Sequence, residues 1–321
     1  MNRKEFIKGS AILGATMVAN PISLVSCGMI VGDGSKSRDV IRVLNTTREQ
    51  VGTLPIIRAF AGDQNDYVSP FVLFDEFGPV DINSGDDPLG VSAHPHAGVT
   101  PTTYFMAGSG HHKDSLNYDF QIEKGEFMMF SSGRGAIHME ETGQSLYDAG
   151  GLYHGFQIWL NNPAKDKFAA PQTFMHKAEA LPVVTGKGYT AKVVLGELFE
   201  KKSPAVTFSP AFYYDITIQA ESKLTIPVDA LHNAFAYVIC GKLELKDQKE
   251  VNQYQLALFE RGKEEIDLYA KEETNLLLLG GLPLNEVVYS YGPFVMNNEE
   301  QIRQCITNYN AGKMGDPRLV R

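Results

Sequence analysis

The sequence predicts an all-β protein in which one type of β-barrel is used twice. Three observations predict it. Short strand-like runs separated by glycine, proline and polar clusters dominate the chain from about Val40 onward. The length of 321 residues, at roughly 100–200 residues per domain, gives two domains. A weak internal repeat links the halves: Tyr104-Phe105-Met106-Ala107-Gly108 and Tyr237-Val238-Ile239-Cys240-Gly241 each read as a hydrophobic strand ending in a tight glycine turn. Each is followed by a later glycine, Gly125 or Gly262, that opens another strand-like run.

In chain order, residues 1–26 read as an export signal. Arg3, Lys4 and Lys8 make a basic start, and an uncharged stretch runs from Gly9 to Ser26. Asn20 and Pro21 interrupt it, which makes it a poor spanning helix. Leu24-Val25-Ser26-Cys27 resembles a bacterial lipobox, so Cys27 is the expected site of lipid attachment and the bacterial cell envelope the expected location. Arg3-Lys4-Glu5-Phe6-Ile7-Lys8 resembles a twin-arginine export signal with Lys4 in place of the second Arg; Sec export fits the same segment. Residues 27–39, rich in Gly, Ser and Asp, read as a tether.

The first barrel is expected over residues 40–175, with strands near Phe71–Phe74, Thr102–Met106, Gly125–Phe130 and Gly155–Leu160. The second is expected over residues 176–321, with strands near Ala211–Gln219, Phe235–Cys240, Gln255–Phe259 and Asn275–Leu279. The junction falls in the breaker-rich stretch that follows Asn161-Asn162-Pro163. The clearest helical pattern is Asn298–Ala311, where Ile302, Ile306 and Tyr309 recur at helical spacing.

Composition limits the function classes. With 43% hydrophobic and 21% charged residues, the chain is neither disordered nor fibrous. A net charge of −9 disfavours nucleic acid as a partner, because phosphate binding needs a basic face. Three cysteines and no CxxC suggest neither a disulfide framework nor a thiolate metal site. Cys240, in the apolar run Phe235–Cys240, reads as buried, and Cys305 falls in the C-terminal helix.

Five of the eight histidines lie between His94 and His138. His94-Pro95-His96 is an HxH pair and His138-Met139-Glu140 an HxE pair. On a strand, residues two apart share a face, so each pair offers two ligands side by side. Two such strands facing each other bring three imidazoles and one carboxylate around a point. That set suits a divalent transition metal: Fe, Mn, Co, Ni, Cu or Zn. In an octahedral shell it leaves two positions open. Pro95 places its strand at a sheet edge or strand entrance. His111-His112 reads as a mobile loop beside the site or as an exposed polar turn, the turn being preferred since adjacent histidines point to opposite sides of a strand. Arg134 reads equally as a carboxylate partner or a surface side chain, and His154 as structural.

The motifs Asp75-Glu76-Phe77-Gly78-Pro79, His94-Pro95-His96, Asp114-Ser115, Ser132 to Glu140 and His154 to Asn161 together resemble pirins. His232 to Val238 and Tyr291 to Asn297 resemble the pirin C-terminal region, so the likeness runs in order from about residue 40 to 315. It implies a bicupin: two double-stranded β-helix, jelly-roll-like domains in tandem. It implies one metal ion, iron(II) foremost, held in the N-terminal cupin by His94, His96, His138 and Glu140. It also implies a second cupin without metal ligands; aligning Gly108 with Gly241 and Gly125 with Gly262 puts Pro227, Asp229, Asn275 and Leu277 at the equivalent positions.

This chain departs from the usual HPHRGFET run of pirins, carrying Ala97 and Thr100 where the Arg and Glu stand, and Met129 replaces a usual Trp near the site. The resemblance implies a dioxygenase acting on flavonol-type, quercetin-like aromatic substrates, opening the ring with release of carbon monoxide. Glu140 would be both ligand and the base that takes the hydroxyl proton. The alternative is a non-enzymatic metal-binding, redox-sensing or partner-binding module in the cell envelope. A monomer is expected.

Overall fold

A computed structural model of the chain describes residues 36–62, 65–246 and 249–320. The expected signal segment, Cys27 and most of the tether lie outside the described residues. Among the described residues every strand-to-strand ladder is antiparallel, and the strands form two seven-stranded, two four-stranded and two two-stranded sheets. The outer layer of the first barrel has four strands in the order Gly90–His96, Ala136–Thr142, Gly110–Asp114, Asp119–Ile122. Its inner layer has seven strands, with Val99–Ala107, Gly151–Asn161 and Phe71–Ile82 at the centre. The second barrel repeats the plan: a seven-stranded inner sheet centred on Asn233–Cys240, Thr274–Gly281 and Ala211–Ile218, and a four-stranded outer sheet beginning Ser222–Pro227, Glu265–Ala270. Three α-helices occur among the described residues, the longest at Glu299–Asn310. None of the described helices is long and apolar enough to cross a membrane.

Strand alternation divides the core. In Gly151–Asn161, Phe156, Ile158 and Leu160 join the cluster shared by the two barrels, while Gln157 and Trp159 face the interior of the first. Phe127 and Met129 likewise join the shared cluster, whereas Met128 and Phe130 face inward. Phe235 of the second barrel meets Phe60 and Phe71 of the first edge-on, both at 5.5 Å between centroids. Such pairs contribute about 0.5–1.5 kcal/mol each beyond their area burial. The expected glycine turns are present: Gly108 and Gly241 have φ of 71° and 80°, a region that favours glycine.

Five details differ from the sequence reading. Val40–Asn45 pairs with Gln255–Phe259, so this strand belongs to the second barrel's sheet. The last tether residues are docked there too: Arg38 is buried, and its guanidinium donates to the carbonyls of Asp229, His232 and Lys263 at 2.7–2.8 Å. Cys240 is exposed, because the ladder is irregular between Val238 and Cys240 at the end of its strand. Met129 faces the other barrel and not the candidate site, as alternation with the inward Phe130 requires. Finally, the strands equivalent to those bearing the histidines are Ser222–Pro227 and Glu265–Ala270. They present Leu224, Ile226, Ile266 and Leu268 to the core, so the Asn275 and Leu277 alignment is off: both lie on an inner-sheet strand.

The C-terminal segment returns to the first barrel. Asn298 caps the helix Glu299–Asn310 by accepting from the Gln301 backbone N–H, and Glu299 and Glu300 complement the helix N-terminus. Ile302, Cys305 and Tyr309 then pack with Phe294 and Met296 against Ala97, Ile137 and Met139. Those three residues alternate with His96, His138 and Glu140, so the tail backs the strands that carry the candidate ligands. Gly98, at φ 72°, lets this happen: a Cβ there would lie 2.1 Å from the Val295 carbonyl oxygen. Lys167 is fully buried and ties the junction together, donating to the carbonyls of Gly98 and Val295 and to Asn161 Oδ1.

Candidate metal centre

His94 and His96 project from the edge strand Gly90–His96, which accommodates Pro95 as expected. The ladder sets His94 opposite His138, and the register shifts between His138 and Glu140. The three imidazoles converge: ring centroids lie 4.4 Å apart for His94 and His138, and 4.9 Å for the other two pairs. His94 Nε2 and His138 Nε2 are 3.0 Å apart. The donor nitrogens of His94, His96 and His138 all lie within 4.8 Å of one another.

Surroundings fix each ring. His94 Nδ1 lies 2.8 Å from the Ser92 carbonyl oxygen; it donates there, which leaves the Nε2 lone pair facing the centre. Phe130 stacks on His138 at 4.5 Å, and Trp159 stands edge-on to His96 at 4.7 Å. Burial pushes the His94 imidazole down to about 4, and those of His96 and His138 well below the usual histidine value. All three are therefore neutral at physiological pH, the form that binds metal.

Glu140 stands beside this group. Its Oε1 accepts from the Thr103 hydroxyl and its Oε2 from Gln157 Nε2, both at 2.6 Å. Burial raises its pKa above the ordinary carboxylate value, while His112 and these two hydrogen bonds pull the other way. In this arrangement Glu140 groups with His138 and His112 rather than with all three converging histidines. Thr103 and Gln157 were not picked out from the sequence; their alternation with the core residues Tyr104, Phe156 and Ile158 is the signal that marks them as facing the barrel interior.

His112 corrects an expectation. It is not in an exposed turn but on the strand Gly110–Asp114, where every second residue points inward. His112 is fully buried, its Nε2 3.1 Å from Asp114 Oδ2, whereas His111 is partly exposed and bonds Asp119. Arg134 is exposed. His154 is structural as expected: Nε2 lies 2.6 Å from Glu76 Oε1, and Tyr237 of the second barrel donates to Glu76 Oε2.

The pocket's chemistry fits a divalent transition ion. Several buried polar atoms of the first barrel, His112 Nδ1, His138 Nδ1, Gln157 Oε1 and Trp159 Nε1, have no hydrogen-bond partner among the described residues. Such groups each cost about 1–3 kcal/mol when left unsatisfied, so their concentration in one barrel points to a site built to hold an ion and its waters. The donors are neutral nitrogens and a carboxylate oxygen, the types that imidazole-binding first-row metals take.

Residues 51–160 match the family model described as Pirin, and residues 213–315 match the Pirin C-terminal cupin domain. A pirin-like protein of Solanum lycopersicum is 30% identical over 288 residues, covering 88% of this chain and 94% of its own. The chain belongs to the pirin family. Its two barrels are cupin domains in tandem. A Pseudomonas aeruginosa protein, provisionally named a quercetin 2,3-dioxygenase, is also 30% identical, over 84% of this chain and 95% of its own. The crystal structure of a quercetin 2,3-dioxygenase from Acinetobacter baumannii superposes with a TM-score of 0.84 at 29% identity, covering 88% of this chain and 99% of that one.

The two departures from the usual pirin run are locally satisfied. Ala97 is buried and bridges to Phe294 of the C-terminal segment, and the Thr100 hydroxyl donates to Asn162 Oδ1 at 2.8 Å. Neither leaves a charge in the core.

Proposed function

We propose that this pirin-family protein is a metal-dependent dioxygenase acting on flavonol-type substrates, with His94, His96, His138 and Glu140 as the metal-holding residues. The observation that carries the reading is the convergence of three buried, neutral imidazoles beside a carboxylate held by Thr103 and Gln157. A bound divalent transition ion supplies Lewis acidity and a template for substrate and dioxygen.

The chain's own residues account for the rest. Glu140 is the proton acceptor: its buried carboxyl has a raised pKa, which suits it to take the proton of an acidic aromatic hydroxyl at its oxygen. Thr103 and Gln157 orient the carboxylate, one donating to each oxygen, and Gln157 donates from the same strand that carries Trp159. Phe130 and Trp159 exclude water from the imidazole rings. Relatives named as quercetin 2,3-dioxygenases at 29–30% identity favour this reaction among those a cupin can host.

The test is turnover by the full chain. With a flavonol under air, the metal-loaded protein is expected to consume dioxygen and release carbon monoxide, and His96→Ala to lose both the metal and the activity. An active, metal-free variant would sink the proposal. Metal retention without oxygen consumption on any flavonol or catechol would favour the binding-module reading instead. Export and lipid attachment at Cys27 remain part of the proposal and are tested separately, by mass spectrometry of the envelope-associated protein.

A further inference from the structure

We propose that the end of the second barrel bearing Phe199, Val206, Phe208, Leu231 and Leu282 is a bilayer-docking face, its occupant the lipid surface in which Cys27 is anchored. The inference rests on the lipid-attachment reading above and adds which surface of the protein meets the membrane.

The argument begins with where the chain enters the fold. Val40–Asn45 runs antiparallel to Gln255–Phe259, and Ser37 bridges in parallel to Glu265. Followed back toward its N-terminus, the chain therefore heads for the loops 228–232 and 260–264. Buried Arg38 fixes it there through its three bonds to the carbonyls of Asp229, His232 and Lys263, and the Lys36 carbonyl accepts from the Glu265 N–H. Nine residue steps separate Lys36 from Cys27. An extended chain covers at most about 3.3–3.6 Å per residue, so an acylated Cys27 holds this end of the barrel within about 32 Å of the bilayer.

That end exposes large apolar side chains. Strand direction gathers them: Tyr189–Leu195 and Thr274–Gly281 finish there, and Ala211–Ile218 and Asn233–Cys240 begin there. The Leu282 N–H donates to the Pro210 carbonyl at 2.9 Å, and His232, next to Leu231, stacks on Phe212. Leu231 is 68% exposed and Val206 78%, and Phe199, Phe208 and Leu282 are exposed beside them. Phe199 is the most telling of the five. It sits at the tip of the hairpin 197–202 with φ of 46°, a region in which a bulky side chain is strained. Leu198 before it is buried in the second barrel's core, whereas the Phe199 ring is left to solvent. Apolar side chains of this kind partition from water into the boundary between headgroups and acyl chains. The exposed charges around them are mixed, Lys201, Lys202 and Arg261 against Glu200, Glu260 and Glu264. Apolar insertion, and not attraction to anionic lipid, therefore drives the contact.

The experiment uses the full chain, extracted from bacterial membranes and reconstituted into phosphatidylcholine vesicles, with acylation of Cys27 read by mass spectrometry on the same sample. Trp159 is the chain's one tryptophan. Phe199→Trp and Leu231→Trp each add a reporter at an exposed position of the docking face, and Glu272→Trp adds one at the opposite end of the same barrel. In vesicles whose acyl chains carry bromine near the headgroup, the added emission at positions 199 and 231 is expected to fall about twofold or more relative to unbrominated vesicles, while that at position 272 and that of Trp159 stay unchanged. Equal emission in both kinds of vesicle at positions 199 and 231, with lipid on Cys27, would overturn the docking face and leave the anchor standing. Shielding of these positions from aqueous iodide without quenching by bromine would mean that a second copy or another segment of this chain covers this end, and would overturn it too. A chain that carries no lipid on Cys27 would instead remove the anchoring reading and the proposal with it.

Discussion

Thr103→Val isolates the contribution of one hydrogen bond to the candidate centre. The substitution preserves shape on the strand Val99–Ala107 and deletes only the hydroxyl that donates to Glu140 Oε1 at 2.6 Å. Thr103 is buried, and the Glu140 side chain is 18% exposed, so water replaces the lost donor poorly. A hydrogen bond to a charged acceptor contributes about 1.5–3 kcal/mol. At 1.4 kcal/mol per factor of ten, metal affinity should fall by about 10- to 100-fold at neutral pH. The loss should also depend on pH in a definite direction. Burial already raises the Glu140 carboxyl, and removing a bond that favours its ionised form raises it further. Proton and metal then compete more evenly for the carboxylate, so the deficit relative to wild type grows as pH falls. Competition titrations against a chromophoric chelator at pH 6 and pH 8, run on both proteins, measure this. An unchanged affinity, or a deficit that grows with rising pH, would refute the role assigned to Thr103 and Glu140.

Two further perturbations separate fold from site. His154→Leu strips the buried Glu76 of its 2.6 Å partner at the junction of the barrels and should destabilise the protein by about 3 kcal/mol or more, read by denaturant unfolding, while metal affinity stays at the wild-type value. Lys167→Met tests a pH effect: burial pushes the Lys167 ammonium from 10.5 down to about 7, so between those values the folded state holds fewer protons than the unfolded chain. Wild-type stability should therefore rise as pH climbs from about 7 toward 10, by a few kcal/mol, and this rise should be lost in Lys167→Met. Parallel slopes in unfolding titrations at pH 7 and 9.5 would contradict it.

Much of this architecture is legible in the sequence because strand periodicity carries it. The runs around Thr102–Met106, Gly155–Leu160 and Asn275–Leu279 all lie within observed strands, and the HxH and HxE pairs bring His94, His96 and His138 together, though from neighbouring paired strands of one sheet and not from strands facing each other. The helix was readable from Ile302, Ile306 and Tyr309 at helical spacing, of which Ile302 and Tyr309 are buried. What the sequence hides is long-range. Nothing local tells that Val40–Asn45 pairs with Gln255–Phe259, more than two hundred residues away, or that Phe294 returns to lie under Ala97. His112 was missed for a different reason. Adjacent histidines look like a polar turn, yet two-residue alternation over Gly110–Asp114 buries one and leaves the other near solvent. The same alternation, read through Gln157 and Trp159, would have marked the polar wall of the pocket.

The most direct test of the central claim is the metal content of the full chain, purified without chelator, by elemental analysis beside His138→Ala. Near-stoichiometric iron, manganese, cobalt, nickel or copper in the wild type, lost in the variant, is the expected result. Absence of bound metal even after reconstitution, or equal metal in both proteins, would contradict a centre built on His94, His96 and His138.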